Sequence, residues 1–598
     1  MYRFSYSEIQ DFLNMNEYKI KQLPSLNLTV LRNITIEPIA PYLKYLAYQI
    51  GFYASIKFGG YDNIYQEAVD VQIKFLSDDT DCILIYSKLE SLALGIARNF
   101  AGLSSEKIYE ETERIKSYVN QIIEGIRKQT NGMILWHGFE LPVYPAFGIW
   151  DCQSKNGQLA MIDELNQIIK TILESHVNAY FIDLNLCLAR IGADRYFDNH
   201  YWHISRAPYT REALKEIATE DFKYVRALKG KNKKCLVLDC DNVLWGGIIG
   251  EDGLNGIKLG NTYPGSAYYE FQQEVLNLDN RGVILALCSK NNEADVWKVF
   301  LKHPDMVLRK EHIATSQINW QDKATNLRQI AMDLNIGLDS LVMVDDSQFE
   351  INLVRQELPE VETIHLPVEQ SVSNRERLVA CGLFDTLILT EEDKRRGAMY
   401  RSQTKRKKLL AETTNLEDYY SSLEMVLKFR IADDISIPRI TQLTQKTNQF
   451  NLTTIRYSEM DIQEMVVSED ADVLYARLHD RFGDMGIIGV AILKYQADRA
   501  ILDTFLVSCR ALGRRIEDGF IDQCLLKAKL RGAKTAIGNY IATKKNVQVE
   551  NFFPDRGFYE FNTSDGQVSY EISLEAFSPT QLDFFKRIDT DITGPLEV

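Results

Sequence analysis

The sequence lacks the features that mark several large classes of protein. Its 598 residues contain nine scattered cysteines without a CxxC pair, and eight histidines without an HExxH motif. Disulfide scaffolds need dense cysteines, and zinc sites need a characteristic ligand spacing. We therefore expect free thiols in a reducing compartment and no zinc centre.

Long apolar runs and an excess of positive charge are also missing. We find no window of about 18 uncharged apolar residues, and the polar start MYRFSYSEIQDFLNMNEYKI does not resemble a secretory signal. The net charge of −15 argues against nucleic acid and anionic membranes as general partners. We expect a cytoplasmic protein.

The length is sufficient for three or four domains. We predict an N-terminal α/β domain at 1–225, a central α/β domain at 226–390, a helical connector at 391–423 and an α+β domain at 424–598. In the central piece, apolar strands such as CLVLDC, VILALCSK and SLVMVDDS alternate with amphipathic helices. This alternation indicates a Rossmann-like parallel sheet covered by helices on both faces.

Acidic side chains follow the predicted central strands at their carboxyl ends. Asp239 and Asp241 follow the first of these strands, and Asp345 and Asp346 end a later one. Ligands of such sheets bind at this edge. Carboxylates are costly to bury unless they are paired, protonated or bound to a cation, and an all-oxygen set suits Mg²⁺. The sequence therefore predicts a magnesium site here.

Phosphoryl chemistry accounts for the neighbouring residues. Asp239 could attack phosphorus, and Asp241 could protonate the leaving oxygen and later activate water. Ser289 could donate a hydrogen bond to a phosphoryl oxygen, and Lys323 could balance its charge. Singly, a strand-end aspartate is often a helix cap and a lysine is usually solvated, but this ordered set favours a phosphatase.

These residues resemble the four motifs of the haloacid dehalogenase superfamily, beginning with Asp239-Cys-Asp241-Asn-Val243 in place of DxDx[TV]. The resemblance implies that Asp239 accepts the phosphoryl group, that Asp241 is the acid/base, and that Mg²⁺ binds Asp239, Asp346 and the carbonyl of Asp241. Asp345 would be an outer residue or the alternative ligand. LDCDNVLWGGIIGEDG, LTQKTNQFNLTT and SCRALGRRIE also resemble FkbH-like proteins, although Cys240 and Val243 stand where many relatives have Leu and Thr.

Resemblance to FkbH-like enzymes implies a specific reaction. Such enzymes take 1,3-bisphosphoglycerate, remove phosphate and load a glyceryl group onto the phosphopantetheine thiol of an acyl carrier protein for polyketide-type biosynthesis. We expect the carrier to be a separate chain. The alternatives are a plain Mg²⁺-dependent phosphatase of small molecules and a non-catalytic scaffold of a biosynthetic complex.

The same resemblance implies a cysteine thioester intermediate. We select Cys288 because it adjoins Ser289, although neighbouring residues of a strand point in opposite directions. Cys240 meets the same objection, and Cys509 lies in the third domain. A buried structural thiol is the plain alternative for Cys288.

Each flanking domain resembles a known fold. Arg510-Ala-Leu-Gly513-Arg514 after a strand resembles the pyrophosphate loop of GNAT acetyltransferases, with Arg515 replacing a small residue. We expect Arg510, Gly513 and Arg514 to bind the phosphopantetheine arm. FDNHYWHISRAPYT in the first domain resembles an SGNH hydrolase block, but without a GDS nucleophile or the DxxH spacing, so we expect no hydrolase there.

Overall fold

The computed structural model describes residues 5–413, 415–543, 545–564 and 566–592. The chain divides into two compact units, with the division after Leu228 and with Ser458–Asp461 counted in the first unit. None of the helices in these residues combines the length and the apolar character needed to cross a membrane.

The first unit contains a five-stranded parallel sheet in the order β2-β1-β3-β4-β5. Its strands are β1 Ser25–Arg32, β2 Tyr53–Phe58, β3 Cys82–Tyr86, β4 Met133–His137 and β5 Ala179–Ile182. Every residue of β3 and β4 is buried, as expected for strands covered on both faces.

Helices connect these strands, and the longest of them, α7, is capped by the Ser104 side chain. The helices are α1 Tyr6–Met15, α2 Glu17–Ile20, α3 Ala40–Gln49, α4 Ile64–Val69, α5 Leu89–Leu92, α6 Leu94–Arg98, α7 Ser105–Arg127, α8 Gln158–Glu174, α9 Leu184–Ile191, α10 Ala193–Tyr196, α11 Asn199–Ser205 and α12 Arg211–Leu228. His200 and His203 are exposed on α11.

The second unit begins with another five-stranded parallel sheet, in the order β10-β9-β6-β7-β8. Its strands are β6 Cys235–Leu238, β7 Ile284–Ser289, β8 Ile313–Ile318, β9 Leu341–Asp345 and β10 Glu362–His365. The chain builds outward from β6 on one side and then crosses to β9 on the other. This reversal places a crevice at the carboxyl ends of β6 and β9.

Helices cover both faces of this sheet, and Asp322 and Ser347 cap α16 and α17. They are α13 Ile249–Gly256, α14 Gly265–Asn280, α15 Glu293–Lys302, α16 Lys323–Leu334, α17 Gln348–Glu357 and α18 Asn374–Val379. Alternate residues of β6 and β7 pack into separate apolar cores on the two faces. The expected Rossmann-like α/β class is confirmed.

An eight-stranded mixed sheet completes the second unit, in the order β16-β17-β15-β14-β13-β12-β11-β18. Its strands are β11 Val426–Ile431, β12 Ala471–Asp480, β13 Gly483–Gln496, β14 Arg499–Val507, β15 Thr535–Ile541, β16 Tyr559–Ser564, β17 Gln567–Ser573 and β18 Arg587–Thr590. The pairs β14–β15 and β11–β18 are parallel, and the others are antiparallel.

The helices of this region are α19 Glu391–Lys394, α20 Arg396–Glu412, α21 Leu416–Ser422, α22 Ile437–Lys446, α23 Glu459–Val467 and α24 Ile516–Leu530. Phe520 of α24 stacks on Phe429 of β11 in the core. A short turn at Arg481 and Phe482 connects β12 to β13.

Candidate active site

The carboxyl ends of three neighbouring strands form the candidate site. Asp239 directly follows β6, Ser289 is the last residue of β7, and Asp345 is the last residue of β9. Because β6 pairs in parallel with both β7 and β9, the predicted residues arrive at one edge of the sheet. Lys323, the first residue of α16, projects to the same edge.

Three carboxylates meet in this crevice. Each of Asp239, Asp345 and Asp346 offers an oxygen atom, and these atoms lie within 4.8 Å of one another. The Lys323 ammonium, which is 3% exposed, lies 2.8 Å from Asp239 Oδ2 and also contacts Asp345 Oδ2. Burial alone would lower the pKa of Lys323, but these two carboxylates raise it above its ordinary value.

Asp345 and Asp346 differ in their hydrogen bonds. Asp345 is fully buried, accepts the backbone N–H of Ser347 at Oδ1 (2.9 Å) and contacts Lys323 at Oδ2. Asp346 is half-buried, and its Oδ2 accepts the side-chain N–H of Asn242 at 3.1 Å. Burial raises the pKa of both carboxyl groups. The geometry therefore leaves Asp346 more available than Asp345 as a ligand.

Asp241 lies beside this group in a network of donors. Its Oδ1 accepts Trp245 Nε1–H (2.9 Å) and the backbone N–H of Ile249 (3.1 Å), while Oδ2 accepts Asn291 Nδ2–H (2.9 Å). Burial raises the pKa of Asp241, although these hydrogen bonds act in the opposite direction. A fixed carboxyl group that retains its proton more readily is suited to act as a general acid.

Sequence reasoning missed the residues that orient this site. Asn291 also donates to Ser289 Oγ (3.1 Å), so it links Asp241 to the serine at the end of β7. Asn242 has a φ of 56° and joins Asp346 to the next loop by accepting the backbone N–H of Gly247 at 2.9 Å. The only available signal was the identity of these residues within DNVLWGG and SKNN.

The donor set fits Mg²⁺. Asp239, Asp345 and Asp346 lie close together, and Lys323 forms ion pairs with Asp239 and Asp345. A second positive charge would reduce the cost of keeping so many carboxylates ionised in a buried place. Only oxygen atoms are offered, which Mg²⁺ prefers over the nitrogen and sulfur ligands typical of zinc.

The structure argues against the selection of Cys288 as the acyl-bearing residue. Cys288 is 1% exposed and packs in the apolar core under α16. Burial raises the pKa of its thiol to about 12, which disfavours the nucleophilic thiolate. Cys240 is likewise buried, with a raised pKa. Cys288 is buried because side chains alternate along a strand, so the neighbour of Ser289 points to the other face of β7.

The predicted pyrophosphate loop follows β14 and precedes α24, but Arg510 and Arg514 are both buried and contact other parts of the protein. Arg514 is 2% exposed and points inward toward Met485 Sδ (2.8 Å), so its guanidinium is not displayed for a phosphate. Arg510 is 4% exposed, and its Nη2 donates to the carbonyl of Ile487 at 3.0 Å. Gly513 has a φ of +75°, which favours glycine at this turn.

A solved structure matches the larger part of the chain. The N-terminal part of the protein BF1531 from Bacteroides fragilis, containing a phosphatase domain complexed with Mg, is 28% identical with a TM-score of 0.58. The match covers 64% of this chain and 99% of that one. No protein-family model matches the sequence, and neither does any curated protein.

Acetyltransferases match a smaller part of the chain. The ribosomal-protein-S18-alanine N-acetyltransferase from Escherichia coli is 13% identical over 26% of this chain and 99% of that one, with a TM-score of 0.21. A GNAT-family acetyltransferase from Staphylococcus aureus is 14% identical over 25% and 99%, also with a TM-score of 0.21.

Proposed function

We propose that the protein is a Mg²⁺-dependent phosphatase whose reaction is coupled to acyl transfer. The assignment of phosphatase activity rests on the close approach of Asp239, Asp345 and Asp346, near Lys323, at the carboxyl edge of the central sheet. The likeness to a Mg-bound phosphatase domain supports the same conclusion.

We assign a residue to each step of phosphate removal. Asp239 is the nucleophile that attacks phosphorus, and Lys323 beside it offsets charge on the phosphoryl oxygens. Ser289 and Asn291 lie on the β7 side of the same crevice. Asp241 gives its proton to the departing oxygen, then takes one from the water that cleaves the aspartyl phosphate.

Mg²⁺ would be held by Asp239, Asp346 and the main-chain carbonyl of Asp241, and it would neutralise charge on the transferring group. Asp345 would act beside it by holding Lys323 in position.

The full reaction that we propose is the one implied by the FkbH-like resemblance. The enzyme would take 1,3-bisphosphoglycerate, remove phosphate and place a glyceryl group on the phosphopantetheine thiol of a separate acyl carrier protein. An acyl phosphate is already activated, so a thiolate can displace its phosphate to form a thioester. The four-part domain division and the cytoplasmic location remain predictions.

Intact-mass spectrometry of a holo carrier protein tests this function. The carrier is incubated with the enzyme, Mg²⁺ and 1,3-bisphosphoglycerate, and Asp239→Asn serves as the phosphatase-deficient variant. A carrier heavier by one dephosphorylated glyceryl group, formed by the wild type and not by Asp239→Asn, supports coupled transfer. An unmodified carrier with free phosphate released favours the plain phosphatase. If neither a modified carrier nor free phosphate forms, the result favours a non-catalytic scaffold.

A further inference from the structure

A second cavity lies in the same unit, away from the aspartates. It has a volume of about 450 Å³, and its wall includes Lys234 and Ser340, which directly precede β6 and β9. It therefore opens at the amino edge of the central sheet, whereas Asp239 and Asp345 lie at the carboxyl edge. Helices α20 and α22 and the segment after β14 complete its wall.

The wall of this cavity is strongly basic. Six cationic side chains line it against two acidic ones, Asp339 and Glu360; the cations are Lys234, Arg396, Arg439, Lys446, Arg510 and Lys545. Cations in such number are costly to hold together in a partly dehydrated place. The wall therefore favours an anionic occupant.

On one side of the cavity, the cationic side chains outnumber the carboxylates that pair with them. Two carboxylates of α19 form ion pairs with four cations. Glu392 lies 2.9 Å from Arg439 and 3.3 Å from Arg510, while Asp393 pairs with Arg396 and lies 3.6 Å from Arg439 and 3.8 Å from Lys446. Two positive charges are thus in excess, which matches a phosphate dianion.

Lys446 gives the clearest sign of a missing partner. Its Nζ is buried and donates no hydrogen bond among the residues that the structure describes. Burial lowers the pKa of Lys446 well below its ordinary value, and the neighbouring Arg396 and Arg439 lower it further. An anion in the cavity would supply both the missing acceptor and the compensating charge.

One cysteine faces this anion site. Seven of the nine cysteines are buried and Cys152 is exposed, but Cys509 is partly exposed and lines the cavity. Its Sγ lies 3.5 Å from the Tyr400 hydroxyl, and its carbonyl accepts Asn335 Nδ2–H at 2.8 Å, which fixes the backbone. Burial raises the pKa of Tyr400, so the hydroxyl keeps its proton and can donate to a thiolate.

We propose that this cavity binds the phosphate of an acyl phosphate and that Cys509 is the nucleophile that takes its acyl group. The thiolate attacks the carbonyl carbon, the bond from that carbon to the phosphate oxygen breaks, and the electron pair leaves on inorganic phosphate, which carries the thiol proton away. The products are an acyl-Cys509 thioester and phosphate. This inference rests on the proposed acyl transfer and assigns its nucleophile and substrate pocket.

The first test locates the thioester. Full-length enzyme is incubated with 1,3-bisphosphoglycerate, quenched in acid and digested, and hydroxylamine-labile acyl groups are mapped by mass spectrometry. We expect the label on the peptide with Cys509 and none on those with Cys152 or Cys288. A label on another cysteine overturns the assignment but leaves the acyl transfer standing. No thioester, with phosphate still released, contradicts both the inference and the acyl-transfer part of the proposed function.

The second test measures anion binding in the cavity without catalytic turnover. The rate of alkylation of Cys509 by iodoacetamide is followed by peptide mass spectrometry, with Cys152 as the internal control. Inorganic phosphate at ten times its dissociation constant should slow alkylation of Cys509 by about tenfold and leave Cys152 unchanged. An equal effect on both thiols, or none on Cys509, would overturn the pocket.

A matched pair of variants assigns the effect to the basic wall. Lys446→Met should weaken protection by phosphate by about tenfold or more, since it removes a charged donor. Lys534→Met is the control, because that lysine is 68% exposed and does not line the cavity. Equal protection in both variants would contradict the role of Lys446.

Discussion

Replacing Asp346 and Asp345 separately by asparagine tests which of them holds Mg²⁺. Asp346 accepts a hydrogen bond from Asn242 (3.1 Å), and burial disfavours its ionised form by raising its pKa. Asp346→Asn should therefore leave the stability of the metal-free protein nearly unchanged. It should weaken Mg²⁺ binding by at least about 10–100-fold, the loss typical of removing even an outer-shell partner.

Asp345→Asn should behave in the opposite way. Asp345 uses one oxygen for the Ser347 N–H (2.9 Å) and the other for Lys323, whereas an asparagine offers a single acceptor oxygen. One donor then loses its partner, although Lys323 keeps Asp239 at 2.8 Å. A hydrogen bond to a charged group contributes about 1.5–3 kcal/mol, so we expect the free energy of unfolding to fall by that amount.

Two measurements separate these outcomes. Urea denaturation in EDTA gives the free energy of unfolding, and calorimetric titration with Mg²⁺ gives the dissociation constant. Asp498→Asn is a suitable control, because that side chain is 59% exposed and far along the sequence. Loss of Mg²⁺ affinity in Asp345→Asn with wild-type affinity in Asp346→Asn would refute the assignment. Unchanged affinity in both variants would show that Mg²⁺ does not bind in this crevice.

Three other perturbations test separate parts of the molecule. Arg406→Met should lower the free energy of unfolding, measured by urea denaturation, by about 3–5 kcal/mol, because the Asp480 carboxylate (0% exposed) loses its bidentate partner. A decrease below about 1 kcal/mol would contradict this. Asp221→Asn should lower stability by about 1–3 kcal/mol in the same assay by weakening its buried contact with His137 (2.7 Å), and unchanged stability would show that the pair is dispensable. EDTA should stop phosphate release from p-nitrophenyl phosphate while iodoacetamide still alkylates Cys509 at its usual rate; parallel loss of both would contradict two independent sites.

The aspartate crevice could be predicted because strand ends carry positional information. Apolar runs ending in Asp239, Ser289 and Asp345 fix the strands, and a parallel sheet brings their carboxyl ends to one edge. The roles of Asn242 and Asn291 could not be predicted in this way. Their contacts depend on loop conformation, such as the positive φ of Asn242, which no periodicity in the sequence reports.

The basic cavity could not be predicted for a different reason. Lys234, Arg396 and Cys509 are far apart in the chain and meet only through packing of the central sheet, α20 and the segment after β14. Arg510 looked like part of a phosphate loop because of its spacing to Gly513, yet its guanidinium contacts Glu392 of α19 instead. Cys288 was misleading because adjacency along a strand places side chains on opposite faces.

The separation of the two sites has a consequence for the order of the reaction. Strand β6 has four residues and joins the amino edge, next to the cavity, to the carboxyl edge, next to Asp239. At about 3.3 Å per residue the edges are about 13 Å apart, which is too far for a three-carbon acyl group to reach both sites at once. In the reaction that we propose, the acyl phosphate and the second phosphate of the substrate are therefore processed one after the other.

This order predicts the product of a phosphatase-deficient enzyme. If transfer through Cys509 precedes phosphate removal, Asp239→Asn should leave the holo carrier bearing a phosphoglyceryl group, heavier by one phosphoryl group than the wild-type product. Adding wild-type enzyme afterwards should remove that phosphoryl group from the isolated carrier. An entirely unmodified carrier with Asp239→Asn would refute this order, because transfer would then require prior dephosphorylation at the carboxyl edge.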